Sequence, residues 1–203
     1  MPQLAGSDRF NTGSLRSFEG GAELKRHGAL TGSVGLHYST GTIPSLEIYD
    51  PYAYTTTYLP DASLMILGIA VGFNIPLNEP YEQLGPVQLF VPLNFASDLV
   101  TVSGGTYDFR TVTFDTSVGF GARLYTKSLF RADLSALYHL GIPIGTFTGG
   151  STDSPNAVLL DSAGETMKAG MSGFELRLGL TFILPDARDA NGPRGRTSQE
   201  PQT

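Results

Sequence analysis

The chain has 203 residues, enough for one domain, with 40% apolar residues, only 16% charged residues and a formal net charge of −6. This acidic balance excludes nucleic acid as a partner, because phosphates require a basic face. The lack of cysteine excludes disulfides, thiol nucleophiles and cysteine-bound zinc. No stretch reaches the roughly 18 consecutive apolar residues of a membrane-spanning helix, which excludes a helical membrane protein.

Both ends of the chain differ from its middle. Residues 1–14 are polar and irregular, and they lack the basic start and apolar core of a signal peptide. Residues 185–203 are rich in Pro, Gly, Arg, Asp and Gln, a composition typical of disorder. We therefore predict one folded domain over residues 15–184, between an irregular N-terminal segment and a disordered tail.

Seven segments between these ends alternate apolar with small or polar residues at a period of two, which predicts β-strands. In chain order they cover residues 16–26, 30–38, 64–75, 87–96, 111–125, 130–140 and 174–182. The clearest is 111–125, where even positions are mainly Val, Phe and Leu and odd positions are mainly Thr, Asp, Ser, Gly and Arg. The least specific is 64–75, which is apolar on both faces near its start and would suit a buried strand of any fold.

The connections between these strands alternate in length. Residues 26–29 and 127–128 are short, whereas 40–62 and 142–165 are predicted as long loops, an asymmetry typical of transmembrane barrels. Several strands alternate for about ten residues or more, the length that a tilted strand needs to cross a bilayer. A soluble β-sandwich also alternates, but its strands are usually shorter, and the small polar residues here fit a narrow lumen better than a solvated face.

On these strands the chain resembles the small outer-membrane barrels of the OmpA-like and OmpX-like kind, over about residues 16–184. The last strand of that family usually ends in an aromatic residue used in assembly. Phe182 has a comparable position, although this chain continues through Ile183 and Leu184. The resemblance implies an all-β, antiparallel up-and-down transmembrane β-barrel of about eight strands in the bacterial outer membrane. It also implies outer-membrane lipid, lipopolysaccharide and the barrel assembly machinery as partners.

The number of strands raises a problem of parity. Seven are visible, whereas single-chain bacterial barrels have even numbers. The first visible strand would run inward. We therefore expect that a signal peptide and an outward strand of about ten residues lie upstream of Met1. This strand would lie between the strands near Glu19 and Leu178. Otherwise residues 1–14, or a strand hidden within 142–165, must fill the gap.

Charged residues recur on the lumen-facing side of the predicted strands. They are Glu23, Lys25, Asp115, Arg123, Arg131, Asp133, Glu175 and Arg177. Acids and bases balance, so we expect a paired network that fills the lumen, since an unpaired charge there would be costly. The other interpretation is a polar path for ions or protons, but a barrel this narrow normally has no open channel. The set favours a structural or surface-interaction role over an enzymatic one.

One small set of residues is a candidate for catalysis. His37 and Ser39 project to the same face of a strand and Glu47 follows, so a nucleophile, a base and an acidic orienter are conceivable. The His-x-Ser spacing is similar to that of outer-membrane lipid A deacylases, although no Asn follows Ser39. A lipid-processing hydrolase is thus one alternative, and a soluble lipocalin-like ligand-binding barrel is another. No metal-binding spacing and no phosphate or dinucleotide motif occurs, so we expect neither metal nor cofactor.

Four of the nine tyrosines lie in the predicted loop 40–62: Tyr49, Tyr52, Tyr54 and Tyr58. One interpretation is an aromatic belt at the membrane interface, or strand extensions above it. The other is a recognition surface for an extracellular partner, because Tyr provides a large contact area at small entropic cost.

Overall fold

The structure is a computed structural model that describes residues 3–4, 15–25, 30–78, 86–125, 130–160 and 164–182. For residues 3, 4, 24, 25 and 171 it describes the backbone alone. The predicted short connections and the predicted tail lie outside these residues. In the described part of the chain, no helix is long and apolar enough to span a membrane.

The described residues form an all-β fold with an antiparallel sheet that is curled into a half-barrel. The strands in chain order are β1 (Gln3–Leu4), β2 (Arg16–Lys25), β3 (Thr31–Asp50), β4 (Thr55–Pro76), β5 (Val87–Gly104), β6 (Tyr107–Tyr125), β7 (Phe130–Pro143), β8 (Thr148–Gly150), β9 (Val158–Leu160) and β10 (Met171–Phe182). The seven predicted segments correspond to β2 to β7 and β10. The prediction of an antiparallel all-β barrel-like fold is therefore confirmed.

Neighbouring long strands pair in the order β10-β7-β6-β5-β4-β3-β2, and β1 extends the sheet beyond β10. Six antiparallel steps separate β10 from β2, so these two edge strands run in the same direction. No pairing joins them within the described residues. The short strand β1 pairs Gln3 with Ser172 and Leu4 with Met171, at one end of β10.

The prediction of long loops at residues 40–62 and 142–165 is wrong. Residues 40–62 form the ends of β3 and β4, which pair continuously around a turn at residues 51–54. The alternation changes phase at Pro44 on β3 and at Asp61 on β4, which the pairing register omits. As a result, the buried residues Ile43 and Leu46 on β3 are three positions apart instead of two. Residues 142–165 include the end of β7 and also β8, which pairs with β6, and β9, which pairs with β3.

The inner face of the long strands changes character along their length. On β4 the inward residues Ala62, Leu64 and Ile66 are apolar and buried, and they are followed at the next inward positions by Gly68 and Gly72, with small Ala70 between them. The inner faces of β5 and β6 change at the same height. Along β5 the inward residues change from Val102 and Val100 to Asp98, and along β6 they change from Phe109 to Thr113 and Asp115.

We name the two parts by what fills them. The capped section comprises residues 43–66 of β3 and β4, residues 100–111 of β5 and β6, and the described part of residues 144–170. The charged section comprises β2, β7, β10 and residues 31–41, 67–76, 87–98 and 113–125.

A dry core fills the capped section. Its buried members are Ile43, Leu46, Ile48, Ala62, Leu64, Ile66, Val100, Val102, Phe109, Phe147, Ala157, Leu159, Met167 and Ala169. The last five come from the connection between β7 and β10. That connection therefore folds back between β3 and β6 and closes this end of the half-barrel with apolar side chains.

Candidate functional site

Two arginines and two acids meet at one end of the charged section and form what we call the arginine cluster. The guanidinium of Arg123 donates to both oxygens of Asp133, at 2.9 and 3.2 Å. It also reaches the Glu23 carboxylate, with Nη1 to Oε1 at 3.4 Å. Arg131 donates to Glu23 and lies 3.5 Å from Asp133. Both guanidinium groups are buried and the four charges cancel, which is what a low-dielectric interior requires.

Packing holds the arginine cluster in place. The Arg123 guanidinium lies over the Phe90 ring, 4.9 Å from its centroid, in a cation–π contact. Gly121 provides the room for this ring, because a Cβ at that position would collide with Phe90. The cluster therefore combines ion pairs with a packed ring, and it occupies the lumen between β2 and β7.

A second layer, the histidine belt, crosses the middle of the barrel. It comprises Glu19, His37, Asp98, Asp115, His139, Glu175 and Arg177. His139 lies between two acids, with Nδ1 2.8 Å from Asp115 and Nε2 2.6 Å from Glu175. Only a ring that carries a hydrogen on each nitrogen can donate to both ionised carboxylates.

Arg177 links this belt to the opposite edge of the sheet. It donates to Glu175 at 3.0 Å and reaches Glu19 of β2 with Nη1 at 2.7 Å. Since β2 and β10 are the two edges, this contact spans the gap between them. Arg131 of β7 spans the same gap through Glu23. Ion pairs therefore connect the two sheet edges, which no backbone pairing joins in the described part of the chain.

Asp98 is the least compensated charge of the belt. It is 1% exposed, and neither carboxylate oxygen has a hydrogen-bond partner among the described residues. Nε2 of His37 lies 3.2 Å from Oδ1, which is ion-pair distance without hydrogen-bond geometry. Gly68 leaves room for this contact, because a Cβ there would meet both Asp98 and the His37 ring. Within the described residues, His37 is thus the basic side chain that lies at ion-pair distance from Asp98.

The structure brings together seven of the eight predicted lumen charges, in two separate groups. Glu23, Arg123, Arg131 and Asp133 form the arginine cluster, and Asp115, Glu175 and Arg177 belong to the histidine belt. The side chain of Lys25, on β2, lies outside the described residues. Sequence reasoning missed Glu19, His37, Asp98 and His139 as members. Three of them stood on the polar side of predicted strands, whereas Asp98 lies just beyond the predicted end of its strand.

The three catalytic candidates do not come together. His37 contacts Asp98, and the Ser39 hydroxyl donates to Ser17 at 2.8 Å. Glu47 lies eight residues beyond Ser39 on the same strand, about 26 Å away at 3.3 Å per residue. Their contacts are those of a lumen wall and not those of a nucleophile, base and orienter.

The tyrosines lie on the hairpin that joins β3 and β4. Tyr52, Tyr54 and Tyr58 are 76%, 82% and 65% exposed, whereas Tyr49 is half-buried. Asp50 fixes the turn by accepting hydrogen bonds from the backbone N–H of Tyr52 and Ala53, at 2.8 and 3.1 Å. The Ser154 hydroxyl, followed by these N–H groups, holds the pKa of Asp50 below its usual value. Tyr54 has φ of +54°, a conformation rare for a residue other than glycine.

Within the described residues, no group of three or more His, Asp or Glu side chains could hold a metal ion. Comparisons with models of protein families, with curated proteins and with solved structures found no match. The half-barrel, its two charged layers and the tyrosine hairpin are therefore the basis for a functional conclusion.

Proposed function

We propose that the protein is an integral outer-membrane β-barrel protein whose charged section lies in the lipid bilayer. The capped section then projects beyond the outer surface. The role is structural or surface-interacting, and the lumen is plugged. The observation that carries this proposal is the opposite polarity of the two sections, which share β3 to β6.

The outer face of the charged section supports a lipid environment. On β7 every outward position from Phe130 to Ile142 is apolar, and these side chains are largely exposed. Twelve steps at 3.3 Å cover about 40 Å along the strand, or about 30 Å at a tilt near 40°, which is the thickness of a bilayer core. Such a band in contact with water would be very unfavourable, whereas lipid removes this cost.

The capped section supports a position in water. Its apolar residues are inside, and its outer side carries Thr56, Asp61 and Ser63. It also contains the connection between β7 and β10, and the long connections of outer-membrane barrels face the outside. The exposed Tyr52 and Tyr54 at its tip then face the medium, where a fixed turn offers aromatic rings to a partner at little entropic cost.

The charged lumen disfavours the two alternatives. A lipocalin-like carrier keeps apolar residues around its ligand, whereas ion pairs line the lumen here. A hydrolase with His37 and Ser39 would require their contact, but each contacts another residue. The paired arginine cluster favours a plugged lumen, so we expect no steady current from the purified protein in a planar bilayer.

The chain has no tryptophan, so single-tryptophan variants can test the proposal directly. Leu134→Trp lies on the outer face of the charged section, and Thr56→Trp lies on the outer face of the capped section. In vesicles of phosphatidylcholine with brominated acyl chains, we expect strong quenching of the first variant and little quenching of the second. Equal quenching of both, or recovery of the protein in the soluble fraction without detergent, would contradict the membrane position.

The chain also has no cysteine, so orientation can be tested in intact cells. Thr56→Cys should react with a membrane-impermeant maleimide, whereas Leu134→Cys should not. Both variants should react after denaturation, which controls for expression. If Thr56→Cys reacts only after the cells are permeabilised, the proposed topology is reversed. Labelling of Leu134→Cys in intact cells would contradict its position in the bilayer.

A further inference from the structure

The unpaired edges of β2 and β10 bound a slot. Within the described residues β2 pairs with β3 alone, and the free edge of β10 is paired only where β1 meets Met171 and Ser172. Gly173 to Phe182 therefore present ten residues of edge without a strand partner among the described residues. Their outward side chains are the most exposed apolar group of the barrel, from 68% to 77%.

Strand direction limits what can fill this slot. Because β2 and β10 run in the same direction, joining them directly would put one parallel pair in an antiparallel sheet. A second copy in the same membrane has the same orientation, so its edges would also meet these edges in parallel. One strand that runs the opposite way pairs antiparallel with both edges.

An intervening strand would put the two edges about 9.5 Å apart, twice the spacing of neighbouring strands. The long side chains of Arg177 and Glu19 bridge the edges on the inner side, with their charged groups 2.7 Å apart. This bridge leaves the backbone edges free for an inserted strand.

Gln3 and Leu4 already lie at one end of this slot and run in the required direction, antiparallel to β10. We propose that the slot takes one β-strand of about ten residues that leads into Gln3–Leu4 and pairs antiparallel with both edges. Directly paired residues point to the same face. The strand therefore has apolar residues opposite Phe174, Leu176 and Leu178, and small or polar residues opposite Glu175 and Arg177. Its apolar outer face depends on the proposed membrane position, but its backbone pairing does not.

The native register can be tested with paired cysteines in the full chain. Gln3→Cys with Ser172→Cys should form a disulfide readily, because these residues are partners in the register. Gln3→Cys with Leu176→Cys is the matched control, since four residues along β10 add about 13 Å. Equal oxidation of both pairs, or oxidation of the control alone, overturns the register on which the proposal depends.

The slot itself can be tested with an eight-residue peptide that alternates Leu or Val with Ser or Thr. Met1 and Pro2 precede Gln3 and would take the positions opposite Phe174 and Gly173, so the peptide covers Glu175 to Phe182. Its one cysteine is at the fourth position from its C-terminal end, which the register places opposite Leu178. We expect the Leu178→Cys protein to cross-link to it about tenfold more than Leu134→Cys. Leu134 is the matched control because it is the β7 partner of Leu178, with both backbone edges paired. A peptide of the same composition without alternation should not cross-link.

Equal cross-linking of the two variants, no cross-linking, or preferential Leu178 cross-links between two copies of the protein would each overturn the slot. These outcomes are independent of the brominated-lipid test. A protein that cross-links in detergent but is not quenched in vesicles would retain the slot and lose the membrane proposal. A protein that is quenched in vesicles but does not cross-link would retain the membrane proposal and lose the slot.

Discussion

The two ends of β4 show how one strand serves two environments. In the capped section Leu64 and Ile66 point inward and are fully buried, and Ser63 points outward. A few residues further on, Ile69 points outward and is 60% exposed, while Gly68 points inward. A period of two therefore identifies the strand, but it does not decide which face is dry. Which face is dry depends on what fills the barrel and what surrounds it at that height.

The interiors of the two sections are also stabilised differently. The capped section has a contiguous apolar core, whose stability comes from the removal of apolar area from water. The charged section contains ion pairs whose members are mostly buried, so each charge is tolerated only while its partner is present. The same kind of substitution should thus have different effects in the two sections.

The largest effect is expected for the loss of an acid in the arginine cluster. Asp133→Asn leaves two buried guanidinium groups with Glu23 as their remaining carboxylate, and it should lower the free energy of unfolding by about 3–5 kcal/mol. Asp108→Asn is the matched control in the capped section. It breaks the exposed pair with Arg110 and should cost at most about 1 kcal/mol.

Urea unfolding of both variants in the same detergent measures this difference. Similar losses for the two variants would mean that the charges of the lumen are as well solvated as those of the surface. The distinction between the sections would then be wrong for charged residues.

A smaller effect is expected from truncation of a leucine in the apolar core. Leu64 is fully buried, so Leu64→Ala should cost about 2–5 kcal/mol through lost burial and a cavity. Leu178→Ala removes the same atoms from the outer face of the charged section, where no cavity is created, and should cost under about 1 kcal/mol. The same unfolding measurement applies. If Leu178→Ala lowers the free energy of unfolding more than Leu64→Ala does, the outer face contributes more to stability than the apolar core.

Particular residues explain how far the sequence predicts this structure. The alternation of residues 111–125 extends to β6 as a whole, because each face of that strand has one character over most of its length. The hairpin at residues 40–62 was predicted as a loop because the phase breaks at Pro44 and Asp61, where Asp61 has φ of +52°. A pattern of fixed phase cannot follow such a change.

The lumen positions were predictable from strand phase, but their partners were not. Arg131 meets Glu23 across 108 residues of sequence because the sheet curls until its edges approach. Asp98 was missed because the alternation predicted a strand that ends at residue 96, two residues before Asp98. The continuation of β5 to Gly104 depends on its pairing with β4 and β6, which the local sequence does not contain.

Neutralising two buried acids of the histidine belt, Asp98 and Asp115, should change the free energy of unfolding by different amounts. Asp98 has no hydrogen-bond partner among the described residues. Asp98→Asn therefore removes a poorly compensated charge and should lower the free energy of unfolding by less than about 1 kcal/mol, or raise it. Asp115 accepts from His139, so Asp115→Asn should cost about 1–3 kcal/mol. Urea unfolding of the pair separates these cases. A greater loss for Asp98→Asn would show that His37 compensates Asp98 more effectively than its geometry indicates.

The smallest effect is expected at the tip of the capped section, where Asp50 is open to water. Its carboxylate accepts from Ser154, Ala53 and Tyr52, and these contacts lower its pKa in the folded protein. A lowered pKa means that this stabilisation is fully present above the unfolded value near 3.9, and that it is lost as the pH falls through the folded value. The amide resonances of Tyr52 and Ala53 should therefore shift together in acid, while those of the apolar core stay unchanged. Asp50→Asn keeps an oxygen acceptor but cannot titrate, so it should abolish the acid shift and leave the turn closed at neutral pH. If the acid shift persists in this variant, another group controls the turn, and the rigid presentation of Tyr52 and Tyr54 does not depend on Asp50.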